Sequence, residues 1–112
     1  MLDMDENVEG HRQELRRGTI VLASLSLLTT PGHGYGLLDA LAAHGFPVDA
    51  NTLYPLLRRL EKQGYLVSEW NTDEARPRKM YRTSEAGTAL VDTLTTDFDA
   101  IAGAIAALPK EG

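Results

Sequence analysis

The chain contains no cysteine, which excludes a disulfide scaffold and any thiolate metal cluster. Its three histidines, His11, His33 and His44, lack the close spacing of a metal-ligand pair, so no metal is expected. Long apolar runs are missing as well: the longest, around Ile20 to Leu28, falls far short of the ~20 residues that span a bilayer. No N-terminal stretch has the basic-then-apolar pattern of a signal peptide, and the expectation is a cytoplasmic protein without a membrane partner. There is no Gly-rich phosphate loop, no nucleophile in a recognisable setting and no paired carboxylates on an evident cleft. Enzymatic chemistry therefore finds no support, and no cofactor is expected.

What is present suits one small domain: 112 residues, 43% of them hydrophobic, enough for a single limited core. The net charge of -5 argues against a polyanionic partner until its distribution is examined. Residues 1 to 11 carry Asp3, Asp5, Glu6 and Glu9, and residues 83 to 112 carry five acidic residues against Lys110. Residues 12 to 82 hold ten of the eleven basic residues against seven acidic ones, a net of +3. Attraction to phosphate depends on this local field and not on the total.

Along the chain, residues 1–12 read as a loose acidic arm that can join the first helix. That helix is expected over Gln13 to Leu28, and its second half, apolar almost all round, suits a central core helix. The breaker cluster Thr29 to Gly34 leads to a short second helix from Tyr35 to His44, which stops at Gly45. Asp49 is a suitable N-cap for a third helix ending near Gly64, although Pro55 beyond its first turn is awkward. Tyr65 to Trp70 and Lys79 to Thr83 read as a hairpin with a long tip. Ser84 caps a last helix that runs to Leu108 before Pro109. The expected fold is mostly α with a small β-hairpin: a winged helix-turn-helix at 13–83, a C-terminal dimerisation helix at 84–108 and a tail at 109–112.

The third helix carries two faces. Leu53, Leu56, Leu57 and Leu60 follow the i, i+3, i+4, i+7 spacing of a buried stripe, while Asn51, Tyr54 and Arg58 recur on the outward side, flanked by Thr52, Arg59 and Lys62. Hydrogen-bonding and cationic groups on a helix anchored from behind are what a groove-reading helix needs. The hairpin concentrates Arg76, Arg78, Lys79 and Arg82 within seven residues, cations that repel one another unless something anionic is near. The last helix places Val91, Leu94, Phe98, Ile101, Ile105 and Leu108 on a heptad seam, expected to pair with a second copy of the chain.

Each assignment has a plain structural alternative. Tyr54 and Tyr35 could simply pack, Arg58 could be a solvated charge, Arg59 could pair internally, and Arg76, Arg78 and Lys79 could mark an exposed loop tip. Tyr81 is balanced between structure and phosphate. His33 and Tyr35 open the second helix, where backbone amides favour anions. The seam could pack on its own domain.

His33-Gly34-Tyr35-Gly36, Asn51 through Glu61, and Arg76 through Gly87 are together specific, and on them the chain resembles the PadR family of winged-helix transcriptional regulators. The resemblance spans about Leu15 to Leu94, and the single last helix is similar to that of the compact subfamily. It implies a homodimer binding double-stranded DNA at an inverted-repeat operator, as a repressor released by a small hydrophobic or aromatic effector. The expected DNA-contacting residues are Tyr35, Asn51, Thr52, Tyr54, Arg58, Arg59, Arg76, Arg78 and Lys79. Some members stack flat aromatic compounds on a tryptophan of the last helix. Here the only tryptophan, Trp70, lies in the first hairpin strand, so that ligand mode is not transferred and the effector site is left open. Two rivals stand beside this reading: a winged-helix module that docks a protein, and a ligand-binding protein without operator binding.

Overall fold

The computed structural model describes residues 4–73 and 75–110. In chain order these form α1 (Met4–Arg17), α2 (Thr19–Leu27), β1 (Gly32–His33), α3 (Gly34–Ala43), α4 (Ala50–Lys62), β2 (Leu66–Asn71), β3 (Arg78–Thr83) and α5 (Glu85–Ala106).

Two elements differ from expectation. Asp5, Glu6 and Glu9 of the arm do join a helix, residues 1–3 lying outside the described residues, but the helix anticipated over Gln13 to Leu28 is two helices broken at Gly18. The charges explain α1: Asp5 and Glu6 lie in its first turn and Arg16 and Arg17 in its last, complementing the helix dipole. Glu9–Arg12 and Glu14–Arg17 add pairs three residues apart, each at 3.8 Å. Glycine weakens helix propagation, and Thr19 Oγ1 donates to the Arg16 carbonyl at 2.6 Å, closing α1. The second difference is the sheet. The expected hairpin is three-stranded, in the order β1-β3-β2, because Gly32 and His33 pair antiparallel with Tyr81 and Met80. The hairpin partners run from Leu66↔Thr83 to Asn71↔Arg78.

The core gathers around α2 and α4. Leu25, Leu41, Leu53, Leu57 and Leu66 are fully enclosed, and all four leucines of the α4 stripe are buried. Asp49 Oδ1 accepts the Thr52 N–H at 2.8 Å, capping α4. Gly45 and Gly64 follow α3 and α4 with φ of +92° and +87°, the left-handed conformation that ends helices without steric cost. Pro55 stays inside α4 on an exposed position. It removes only the N–H that Asn51's carbonyl would receive, and that loss falls on the wet side of the helix.

Thr83 and Ser84 join the layers. Thr83 donates its backbone N–H to Leu28 O at 2.8 Å and its hydroxyl to Leu25 O at 2.7 Å, tying β3 to α2. Ser84 Oγ accepts the Gly87 N–H at 3.0 Å and donates to Gly64 O at 2.6 Å, so the start of α5 is pinned to the end of α4. A radius of gyration of 16.8 Å, with extents of 60 × 36 × 22 Å, exceeds the ~13 Å radius of a compact domain of this length; α1 buries no residue and α5 buries only Gly87, so both helices lie largely outside the core.

Gly87 is buried, and a Cβ there would collide with Tyr65 O and meet Thr83 Cγ2 at 2.7 Å. Gly87→Ala should therefore lower the unfolding free energy by about 1–3 kcal/mol in a urea titration. Gly103→Ala, with open space around it, should be neutral or stabilising by up to about 1 kcal/mol.

Candidate nucleic-acid interface

Burial of the leucine stripe turns the opposite side of α4 outward. Asn51, Thr52, Arg58 and Arg59 are exposed there, whereas Tyr54 is half-buried. Its ring lies across Gly34: a Cβ at that glycine would fall 2.8 Å from Tyr54 Oη and 2.9 Å from Cζ. Tyr35, at the start of α3 and 72% exposed, meets Tyr54 edge-on with ring centroids 6.4 Å apart. Burial, with Tyr35 and Tyr81 nearby, raises the Tyr54 phenol above its ordinary value of 10.0, so it remains a neutral hydrogen-bond donor. Tyr54 thus packs on the core and over Gly34, while Tyr35 stands mostly in solvent beside it.

The hairpin brings Arg76, Arg78 and Arg82 to the surface. Lys79, expected at the DNA face, has an internal partner instead: its Nζ lies 3.0 Å from Glu61 Oε1, with side chains 34% and 31% exposed. Glu61 also accepts a hydrogen bond from Ser68 Oγ, and Lys79 Nζ stands 5.3 Å from the centre of the Tyr81 ring. One carboxylate therefore joins α4, β2 and β3. Tyr81 itself is buried, which settles it as a core residue. Glu61 continues the outward row of Asn51, Tyr54 and Arg58 at i+10, and that spacing was the available sign of its role.

From sequence, His33 is expected only to face an anion at the start of α3. In the fold its Nδ1 accepts the Gly36 N–H at 3.1 Å, capping α3, and its Nε2 lies 2.9 Å from Arg78 Nη1. A neutral imidazole accepts at one nitrogen only, so the cap and the arginine contact compete for the ring. Through this residue the hairpin arginine is seated beside the start of α3.

The heptad seam divides. Val91 packs against the core and Leu94 is half-buried, but Phe98, Ile101, Ile105 and Leu108 are 50%, 58%, 56% and 60% exposed. Beside Phe98, between α2 and α5, lies an apolar cavity of about 360 Å³ lined by residues including Leu22, Leu27, Phe46 and His44. Among the described residues no group of side chains is arranged to hold a metal, and no helix is long and apolar enough to cross a membrane.

Comparison with known proteins bears on the family and the fold. The family model described as Transcriptional regulator PadR-like family matches residues 21–93. A PadR family transcriptional regulator from Eggerthella lenta is 42% identical, with a TM-score of 0.91 over 96% of each chain. A transcriptional regulator from Clostridium thermocellum is 25% identical, with a TM-score of 0.77 over 87% of this chain and 99% of the other. Transcriptional regulator Rv3488 of Mycobacterium tuberculosis is 47% identical over 57 residues, 51% of this chain. That match spans about half, 53%, of the Mycobacterium protein's length.

Hydrogen bonds from Ser68 and then Lys79 hold the Glu61 carboxyl below its ordinary 4.5, and the bond to Glu61 holds Lys79 above 10.5. A carboxylate with a depressed folded pKa contributes stability above its unfolded value and loses it as pH falls through the folded one. The lysine contributes below its unfolded value and loses it as pH rises through its folded one. Wild type should thus melt above Glu61→Gln near neutrality, with the gap closing below pH 4.5 and again above pH 10.5. Thermal melts across pH measure it.

Proposed function

The chain belongs to the PadR-like family of transcriptional regulators, and from that premise we propose that it is a ligand-responsive repressor which binds an inverted-repeat operator as a homodimer in the cytoplasm. What supports this most is the outward row of α4 and the hairpin arginines standing on one unit tied by Glu61. Asn51, Thr52, Tyr54 and Arg58 supply donors and acceptors to base edges in the major groove, with Arg59 and Tyr35 on its flanks. Arg76 and Arg78 approach adjacent phosphates or the minor groove. Lys79 contributes through the clamp to Glu61, holding the wing in position.

Dimerisation rests on α5. Phe98, Ile101, Ile105 and Leu108 leave apolar area that a second copy of the helix would cover, and Leu94 borders it; Val91 is largely committed to its own core. Two α4 helices then enter successive major grooves about 34–36 Å apart, and twofold protein symmetry calls for a palindromic site. A small hydrophobic or aromatic effector in the cavity beside Phe98 would alter how α5 sits on α2 and so the spacing of the two reading helices. It releases DNA to the extent that it prefers the altered spacing. Residues 1–12 and the region after residue 83 are both acidic in sequence, and that charge limits binding to random duplex.

Selection from random-sequence duplex DNA should recover palindromic fragments. On a recovered duplex, Arg58→Ala should weaken binding by about 1–3 kcal/mol and relax one position of the site. Arg78→Ala should lower the salt dependence of log affinity by roughly 0.9 per log unit of salt. A protein-docking module would show no such dependence on duplex DNA. Replacing Phe98 and Ile101 together by aspartate should give monomers in sedimentation and abolish preference for palindromes over scrambled duplex.

A further inference from the structure

His33 stands where three elements meet. It ends β1 opposite Met80 of β3, it is the N-cap of α3, and its ring reaches Arg78 at the start of β3. At Arg78 the ladder to β2 is intact through Asn71↔Arg78, but on the other side β1 has ended and the chain has turned into α3. There a side-chain contact stands in place of the backbone ladder: Arg78 Nη1 lies 2.9 Å from His33 Nε2.

Both partners of the ring are donors. The Gly36 N–H, 3.1 Å from Nδ1, and the guanidinium each have protons to give and no lone pair to accept with. A neutral imidazole has one acceptor nitrogen, so its two tautomers satisfy the cap and the arginine in turn. A protonated imidazole has none: it fails both partners and sets a second cation against Arg78. His33 is half-buried and within reach of water. Its ladder partner is Met80, and its titratable neighbours on α3 and α4 are the phenols of Tyr35 and of Tyr54, whose ring covers Gly34. Among the described residues, the charged group that touches the ring is Arg78.

We propose that His33 is a proton-operated positioning residue: neutral, it holds Arg78 of the wing to the start of α3, and protonated, it drops both the arginine and the Gly36 cap, so that the seating of the wing follows pH. Imidazole is the side chain that changes charge between about pH 5 and 8, and the neutral ring is the form that makes these contacts. The consequence for DNA rests on the operator-binding reading above. Contacts to the DNA backbone set the register and orientation of a reading helix, so a loosened wing lowers the preference for operator over scrambled duplex. The added imidazolium charge attracts both duplexes alike and cancels in their ratio.

The test follows the isotope-labelled full chain by NMR, without DNA, from about pH 8 down to about pH 5.5. The Gly36 and Arg78 amide resonances should shift with the midpoint of the His33 ring, while His11 and His44 titrate as internal controls. Asparagine puts an amide oxygen where Nδ1 stands and glutamine puts one where Nε2 stands. His33→Asn therefore keeps the cap without the arginine, His33→Gln keeps the arginine without the cap, and neither amide titrates. On duplex recovered by the selection above, the ratio of operator to scrambled affinity in wild type should fall about threefold over that range, the scale of one exposed polar contact. His33→Gln should hold the high ratio throughout and His33→Asn the low one. Gly36 and Arg78 amides that ignore the His33 titration overturn the proposal, as does a ratio that stays flat in wild type or falls equally in His33→Gln. Absence of any duplex binding overturns the repressor reading alone, because the ring and the two amides are read without DNA. If a variant fails to fold, the wild-type resonances and ratio decide.

Discussion

Four leucines on one side of α4 have to leave water, and a helix of about 3.6 residues per turn then has no freedom over which residues face the other way. Leu53, Leu56, Leu57 and Leu60 are all buried, so Asn51, Thr52 and Arg58 are outward as a geometric consequence of packing. The rest of the surface is indexed to this helix. β2 reaches it through Ser68 and β3 through Lys79, both on Glu61, while α3 meets it where Tyr54 covers Gly34. Burial of apolar area provides the energy, about 25 cal/mol per Å², and a few polar contacts decide the angles.

Those polar contacts bear charge in a place where charge is costly to waste. Glu61 is the acidic member of a row whose neighbours are basic or neutral, and left unpaired it would repel phosphate. Accepting from Ser68 and Lys79 neutralises that repulsion locally and converts it into a brace. The arrangement commits the charge of Lys79 to Glu61 and ties β3 to α4, an exchange of raw electrostatic attraction for position.

How much of this could be read from the chain follows from the range of each interaction. α4, its Asp49 cap and the glycines that end α3 and α4 were legible because caps, periodicity and left-handed turns are local chemistry. The three-stranded sheet was not, since Gly32 and His33 look like breakers until Tyr81 and Met80, far along the chain, offer them a ladder. That residues from Met4 form a helix of their own, closed at Gly18, was legible only as an arm able to join the next helix, because α1 buries no residue and depends on i,i+3 pairs and its dipole. At the candidate interface, residue types and the outward face of α4 were evident from spacing. The internal partner of Lys79 was not, because a strand residue and a helix residue eighteen positions apart share no local pattern. The split of the α5 seam was likewise invisible, since heptad spacing is the same whether a residue meets its own core, as Val91 does, or protrudes, as Ile105 does.

The contact of Tyr54 with Gly34 carries a consequence for how this surface can diverge. The restriction on Gly34 is steric and not conformational: the tyrosine ring occupies the volume that any side chain would claim. The two positions therefore form a lock in which neither residue is replaced alone at low cost. A smaller side chain at position 54 leaves a hollow, and a larger one at position 34 evicts the ring. A chain of this fold that acquires a different residue at 54 has a reason to acquire a β-carbon at 34 in the same step, so divergence along the surface of α4 is coupled to the repertoire allowed at the opening of α3.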